Sequence, residues 1–182
     1  MSTKRLALIA MLVAQATILH YLEGLLPNPV PIPGVKLGLA NIITLLALIL
    51  YDFKTALNVV VLRTILGSLL NGTLFGVGFF LSFTGAMTAA AMMLLLLRVF
   101  PVLSVVGVSV AGAIAHSIGQ LLMAALIISQ PGIFYYLPFM LLFSIPSGII
   151  TGLLLKALLK YIEKSGGKIP GEKSRGGQSD SW

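Results

Sequence analysis

The chain has 182 residues, of which 58% are hydrophobic and 9% charged, and its mean hydropathy is +1.04. Soluble domains carry about 25% charged residues, so a soluble globular fold is excluded and lipid must solvate much of the surface. The net charge of +7 does not mark a nucleic-acid binder, because no aromatic-basic surface accompanies it, and the absence of cysteine removes disulfides, thiolate metal sites and a Cys nucleophile.

Apolar runs and breakers divide the chain into about six predicted spans. Lys4 and Arg5 precede the first, from about Leu6 to Leu26. Ala14-Gln15-Ala16 within it matches the small-residue pattern of a signal-peptidase site. Apolar character continues past it and further spans follow, so the segment reads as a retained first helix. The Pro-rich stretch from Pro27 to Gly34 breaks the helix, since proline lacks an N–H and restricts its predecessor. A second, short span runs from about Leu37 to Leu50 and ends at the polar turn Tyr51-Asp52-Phe53-Lys54. The third, from Thr55 to Leu70, ends at Asn71-Gly72-Thr73. The fourth covers about Phe75 to Leu97, the fifth Leu103 to Ile128, and the sixth Phe134 to Tyr161. Residues 1–162 thus read as one transmembrane domain, and 163–182 as a disordered basic tail rich in Gly and Lys.

Charge orients the bundle. Lys4, Arg5, Lys54, Arg98, Lys156, Lys160, Lys164, Lys168, Lys173 and Arg175 all fall on one side of six alternating spans. Basic residues concentrate on the cytoplasmic side of membrane proteins, which places both termini inside. Lys36 stands on the opposite side and Arg63 inside a span.

Several chemistries lack their residues. There is no phosphate-binding G-x-x-x-x-G-K-[ST] loop and no H-E-x-x-H. The two aspartates, Asp52 and Asp180, cannot form Asp-rich pairs that hold magnesium and a diphosphate. The chain therefore reads as a non-enzyme, and no motif implies a metal or cofactor. Ionisable groups at membrane depth are costly and mark function. Here they are His20, Glu23, Arg63 and His116, with Asn41, Asn71 and Gln120 as polar support. At a rise of about 1.5 Å per residue, His20 and Glu23 stand roughly 22 and 27 Å above the start of the first span, and His116 and Gln120 roughly 20 and 26 Å above the start of the fifth. They share the outer half of the membrane with Asn41 and Asn71. The bland alternatives are interfacial solvation of Glu23 and His20, helix-to-helix hydrogen bonding by His116, and, for Arg63, neutralisation of a carboxylate or snorkelling. Ala7, Ala10 and Ala14 form a small-residue stripe opposite Glu23, which suits close approach of another helix, inside the chain or outside it. Gly148-x-x-x-Gly152 reads as internal packing, and Ser144, Ser147 and Thr151 share a face of the same helix.

The six-span pattern, the basic N-terminus, the stripe at Ala10 and Ala14, and the stretch Pro33-Gly34-Val35-Lys36-Leu37-Gly38-Leu39-Ala40-Asn41-Ile42 resemble the substrate-binding (S) components of energy-coupling factor transporters. With Leu66-Gly67-Ser68-Leu69-Leu70-Asn71-Gly72, the chain is most similar to the subgroup labelled heptaprenyl diphosphate synthase component I, or Gx transporter family. The resemblance covers about residues 4–162. It implies a compact all-α membrane bundle in the prokaryotic cytoplasmic membrane that binds a small molecule in an outward-facing pocket. His20, Glu23, Lys36, Asn41, Asn71, His116 and Gln120 are the candidate pocket residues. It also implies a membrane coupling subunit, met by Ala7, Ala10 and Ala14, and two cytoplasmic ATPases. The subgroup label implies a different role, as a non-catalytic membrane partner in prenyl diphosphate, quinone or flavin-linked redox metabolism. Prenyl synthases themselves carry two Asp-rich motifs that this chain lacks.

The topology has a direct test. Cysteines placed singly at Ser2 and Ser179 should resist an impermeant thiol reagent in intact cells, and labelling of both would overturn the orientation.

Overall fold

The computed structural model describes residues 3–25 and 38–166. Among these, six α-helices and one short 3₁₀ segment account for the regular structure: α1 Thr3–Leu25, α2 Asn41–Leu50, α3 Phe53–Leu70, α4 Val77–Val99, α5 Val105–Ile128 and α6 Leu137–Lys164, with the 3₁₀ turn Pro131–Tyr136 leading into α6. Five helical segments are long and apolar enough to cross a membrane. The protein is an all-α multi-pass membrane bundle. The expected Pro-rich loop, Lys36 and most of the basic tail lie outside the described residues, while α6 continues through Lys164.

The second span is the exception in length. α2 has 10 residues, about 15 Å at the helical rise, which is half the hydrocarbon thickness. It is apolar on nearly every side, with Ile43, Leu45, Leu46 and Ala47 buried, as befits a helix enclosed by protein. α2 packs against all five other helices. Around it the others form an open ring in the order α1, α3, α4, α5, α6, and α1 and α6 flank α2 without packing on each other.

The ends of the bundle differ. At one end, the start of α1, the end of α2, the starts of α3 and α5, and the ends of α4 and α6 converge on a single apolar core. Ile9, Leu12, Leu45, Val59, Met93, Val108 and Leu155 meet there. Arg5, Lys54, Arg98, Lys156, Lys160 and Lys164 belong to the same end. At the opposite end, the described turns at 38–40, 71–76 and 129–136 carry no Lys or Arg. Exposed aromatics girdle both ends: Tyr51, Phe100 and Tyr161 at the basic end, and Phe75, Phe134 and Tyr135 at the other. Trp and Tyr belts of this kind sit at membrane–water boundaries.

Local chemistry sets the junctions. Asp52 is the N-cap of α3 and accepts from Thr55 N at 2.7 Å. It also pairs with Arg5 at 2.6 Å, tying the start of α1 to the α2–α3 turn. Ser104 caps α5 through Gly107 N at 3.1 Å. α5 and α6 cross closely because α6 presents glycine. A Cβ on Gly148 would stand 2.6 Å from Val110 Cα, and one on Gly152 2.8 Å from Val106 Cα. The Gly148/Gly152 spacing is therefore internal packing. Ser109 and Thr151 bond across this contact at 2.9 Å, and Ser117 bonds Ser144.

The hydrogen bonds from Thr55, with Arg5 beside it, lower the Asp52 carboxyl from 3.8 to about 2. A carboxylate with a depressed folded-state pKa contributes stability in full above its unfolded value and loses it on protonation. The Asp52 contribution should therefore fade as pH falls from about 4 towards 2. At neutral pH, Asp52→Ala should lower stability by about 1 kcal/mol through loss of the cap, read as a lower thermal midpoint in detergent. Asp52→Asn should retain most of it.

Candidate functional site

At the non-basic end, polar side chains from four helices close on the start of α2. The start of α2 is enclosed by the bundle, with Ala40 and Asn41 buried, so its first N–H groups need partners within the protein. The chain meets this with a turn at Gly38–Ala40. Asn41 N donates to Gly38 O at 2.9 Å, and Ile42 N and Ile43 N donate to Leu39 O and Ala40 O. Gly38 and Leu39 N–H both donate to Glu23 Oε1 on α1. Glu23 is 4% exposed, so its carboxylate works as a buried cap rather than an interfacial group.

Gly38 has φ +83°, a left-handed conformation that favours glycine. A Cβ there would also stand 2.7 Å from Asn41 Nδ2. Asn41 is the hub. Its Oδ1 accepts from Arg63 on α3 at 2.8 Å, and its Nδ2 lies 3.2 Å from His116 Nδ1 on α5. The donor inventory fixes the roles. Guanidinium only donates, so the Asn41 oxygen must face Arg63 and its NH₂ must face His116. His116 Nδ1 is then the acceptor, and the neutral ring carries its proton on Nε2. Protonation at Nδ1 would set donor against donor.

Two glycines let the rings in. His20 lies flat on Gly67 of α3, where a Cβ would stand 2.2 Å from its ring. Gly85 of α4 makes the same room for Gln120 Cγ and His116 Cε1, at 2.7 and 3.0 Å from such a Cβ. His20, Glu23, Asn41, Arg63, His116 and Gln120 are all buried. The Glu23 carboxylate also acts through space on the Arg63 guanidinium.

Of the sequence-predicted pocket residues, Glu23, Asn41 and His116 join this network directly, and Gln120 and His20 pack beside it. Asn71 stands one turn further out. Its Nδ2 donates to Gly67 O at 2.9 Å at the end of α3, and it lies against Gly24. Lys36 lies outside the described residues. Arg63 does not snorkel: at 2% exposure it is the largest fully buried side chain and bonds inward to Asn41. Sequence reasoning missed its partner, which is 22 residues away on another helix. It also missed Gly67 and Gly85, whose signal was a glycine inside each of two predicted spans. No group of three or more His, Asp or Glu among the described residues could hold a metal. The arrangement can donate and accept hydrogen bonds and place a fixed positive charge in an apolar setting.

Asn41 should be the most sensitive residue of the network. Asn41→Ala deprives a buried guanidinium of its amide acceptor, a loss of about 1–3 kcal/mol or more, measurable as a lowered thermal midpoint. Gln120→Ala, which leaves the Arg63–Asn41 bond in place, should cost less.

No curated protein and no solved structure matches the chain. The family model for heptaprenyl diphosphate synthase component I matches residues 12–158, spanning α1 to α6 and every residue of the network. The chain belongs to the heptaprenyl diphosphate synthase component I family.

Proposed function

We propose that this chain is the membrane-embedded ligand-binding subunit of an uptake transporter of the energy-coupling factor type. The observation that carries the reading is the buried polar network at the start of α2. Charged and ionisable groups inside a bilayer are expensive and are retained where they bind or conduct something. Here Glu23, Arg63, Asn41 and His116 are gathered at one end of an otherwise apolar bundle. The surrounding wall of Leu, Val and Ala suits a ligand with a polar group on an apolar body. On this reading the basic end is cytoplasmic, and the polar end faces outside across the prokaryotic cytoplasmic membrane.

The face of α1 supports the same reading. Ala7, Ala10 and Ala14 are exposed, while Ile9, Leu12, Val13 and Ala16 face the core. The small stripe is therefore open to approach by another helix. A membrane coupling subunit bound there, with cytoplasmic ATPases, would supply the energy. Catalysis resides in those partners and not in this chain.

The family description favours a second reading. A component I implies a component II, and this chain would then be the non-catalytic membrane partner of a prenyl diphosphate synthase.

Two measurements separate them. Mass spectrometry of the protein purified in mild detergent should find one small molecule retained in stoichiometric amount, reduced at least tenfold in Glu23→Gln and His116→Ala. Ala10→Leu and Ala14→Leu should leave the fold intact, since both sites are exposed, and should abolish co-purification of the coupling subunit and ATPases. Retention of no ligand, together with co-purification of a soluble prenyl synthase that either substitution disrupts, would replace the first reading with the second.

A further inference from the structure

Among the described residues, Thr17 Oγ1, Thr44 Oγ1, Arg63 Nε and Ser82 Oγ are buried without a hydrogen-bond partner. They come from four different helices, α1, α2, α3 and α4. Each lies one turn from a residue of the network already described: Thr17 from His20, Thr44 from Asn41, Arg63 from Gly67, Ser82 from Gly85. Residues three or four apart share a helix face. His20 packs on Gly67, Asn41 bonds Arg63 and His116, and Gly85 carries the His116 ring. Thr17, Thr44 and Arg63 therefore lie together in one layer, one turn below the network on its basic-end side, whereas Ser82 precedes Gly85 on a helix that starts at the polar end and lies on the outer side.

Helical hydroxyls in lipid have a default partner, the carbonyl four residues earlier. Elsewhere in this bundle they use it. Thr64 bonds Val60 O, Ser144 bonds Met140 O and Thr151 bonds Ser147 O, and all three are buried. Thr17, Thr44 and Ser82 do not. Arg63 adds a cation whose five N–H groups can only donate. Asn41 Oδ1, which accepts from its Nη2, is neutral. Glu23 acts on it through space, but one carboxylate oxygen is committed to Gly38 and Leu39 N–H. Arg63 Nε can only donate, while the hydroxyls of Thr17 and Thr44 can turn to donate or to accept. Val60, Ala86 and Ala90 form the apolar contact between α3 and α4 next to this layer.

We propose that this layer is a head-group site in which Arg63, with the hydroxyls of Thr17 and Thr44, takes the carboxylate or phosphate of a ligand whose body is apolar. The inference rests on the reading of this chain as a ligand-binding subunit and names the ligand class. An acid group supplies several acceptors and a negative charge together, whereas an alcohol supplies neither charge nor bidentate geometry.

The test compares matched probes on the full chain in phosphatidylcholine nanodiscs: geranyl phosphate, geranate and geraniol, read by thermal unfolding. Either acid should raise the midpoint by several degrees and the alcohol should not. Arg63→Gln should abolish the response; because it takes one member out of a buried set of charged and hydrogen-bonded groups it should also unfold below the parent's midpoint, so the response is read as the shift each probe produces within one protein. Thr17→Val with Thr44→Val should weaken the acid at least threefold. Discs containing phosphatidylglycerol distinguish the source. A midpoint raised by that lipid alone, and lost in Arg63→Gln, supports the same site with a bilayer lipid as its occupant. Equal response to acid and alcohol, or no response to any probe or lipid, overturns the head-group site. The parent's selectivity decides this by itself, whether or not Arg63→Gln folds. A lowered midpoint in Arg63→Gln without acid selectivity in the parent would overturn it too and make Arg63 a structural partner of Glu23. If the purified protein retains a neutral molecule, the ligand-binding reading stands and this inference falls.

Discussion

A helix that begins inside a packed bundle leaves backbone donors without water to bond, and the polar half of this protein is built around that constraint. α2 is too short to cross, so its N-terminus opens within the bundle. The Gly38–Ala40 turn and the Glu23 carboxylate satisfy the exposed N–H groups. Once Glu23 is fixed there, a negative charge sits at membrane depth and makes a nearby cation tolerable. Arg63 is that cation, and Asn41 at the first turn of α2 is its acceptor. The same amide orients His116. The polar network follows from where one short helix starts.

The two ends of the bundle divide the labour. The basic end holds an apolar core to which all six helices contribute, and there the Arg5–Asp52 pair and the α3 cap fix the register of the chain. The other end keeps a smaller apolar core, Leu81, Leu121, Ala124, Ile133 and Met140, on its α4–α6 side and adds buried hydrogen bonds and glycine contacts. Gly67 and Gly85 bring rings against helix backbones at distances a methyl group would forbid. Apolar packing thus dominates the first end, and the buried ionisable groups are gathered at the second.

The helices, their order and the sidedness of charge were legible in the sequence, because apolar run length and Lys/Arg position report directly on the bilayer. Each long helix begins or ends within a few residues of its predicted limits. Glu23, Asn41, His116 and Gln120 were legible as a group from depth alone. Arg63 was not, because its side chain could have turned to either side of its helix and the partner that decides this lies on α2. Thr17, Thr44 and Ser82 were invisible for a related reason. A helical hydroxyl normally bonds its own backbone, and only the packed bundle shows that these do not. That α2 is short was legible too, but its start at Asn41 was not, because the apolar residues Leu37 and Leu39 precede it in the sequence.

The enclosure of α2 also bears on how the protein is assembled. Its polar first turn completes its bonds only with His116, 75 positions later in the chain. Until α5 has been synthesised and inserted, Asn41 has no imidazole to face, and α2 has only some of the five neighbours that surround it. Contacts between distant parts of a chain form late, because the intervening segment must first be ordered. The α1–α3 contact and the Arg5–Asp52 pair, by contrast, need only the N-terminal helices. The polar end can complete its hydrogen bonds only once α5 is in place, and a chain truncated before α5 would retain the α1–α3 contact without a finished polar network.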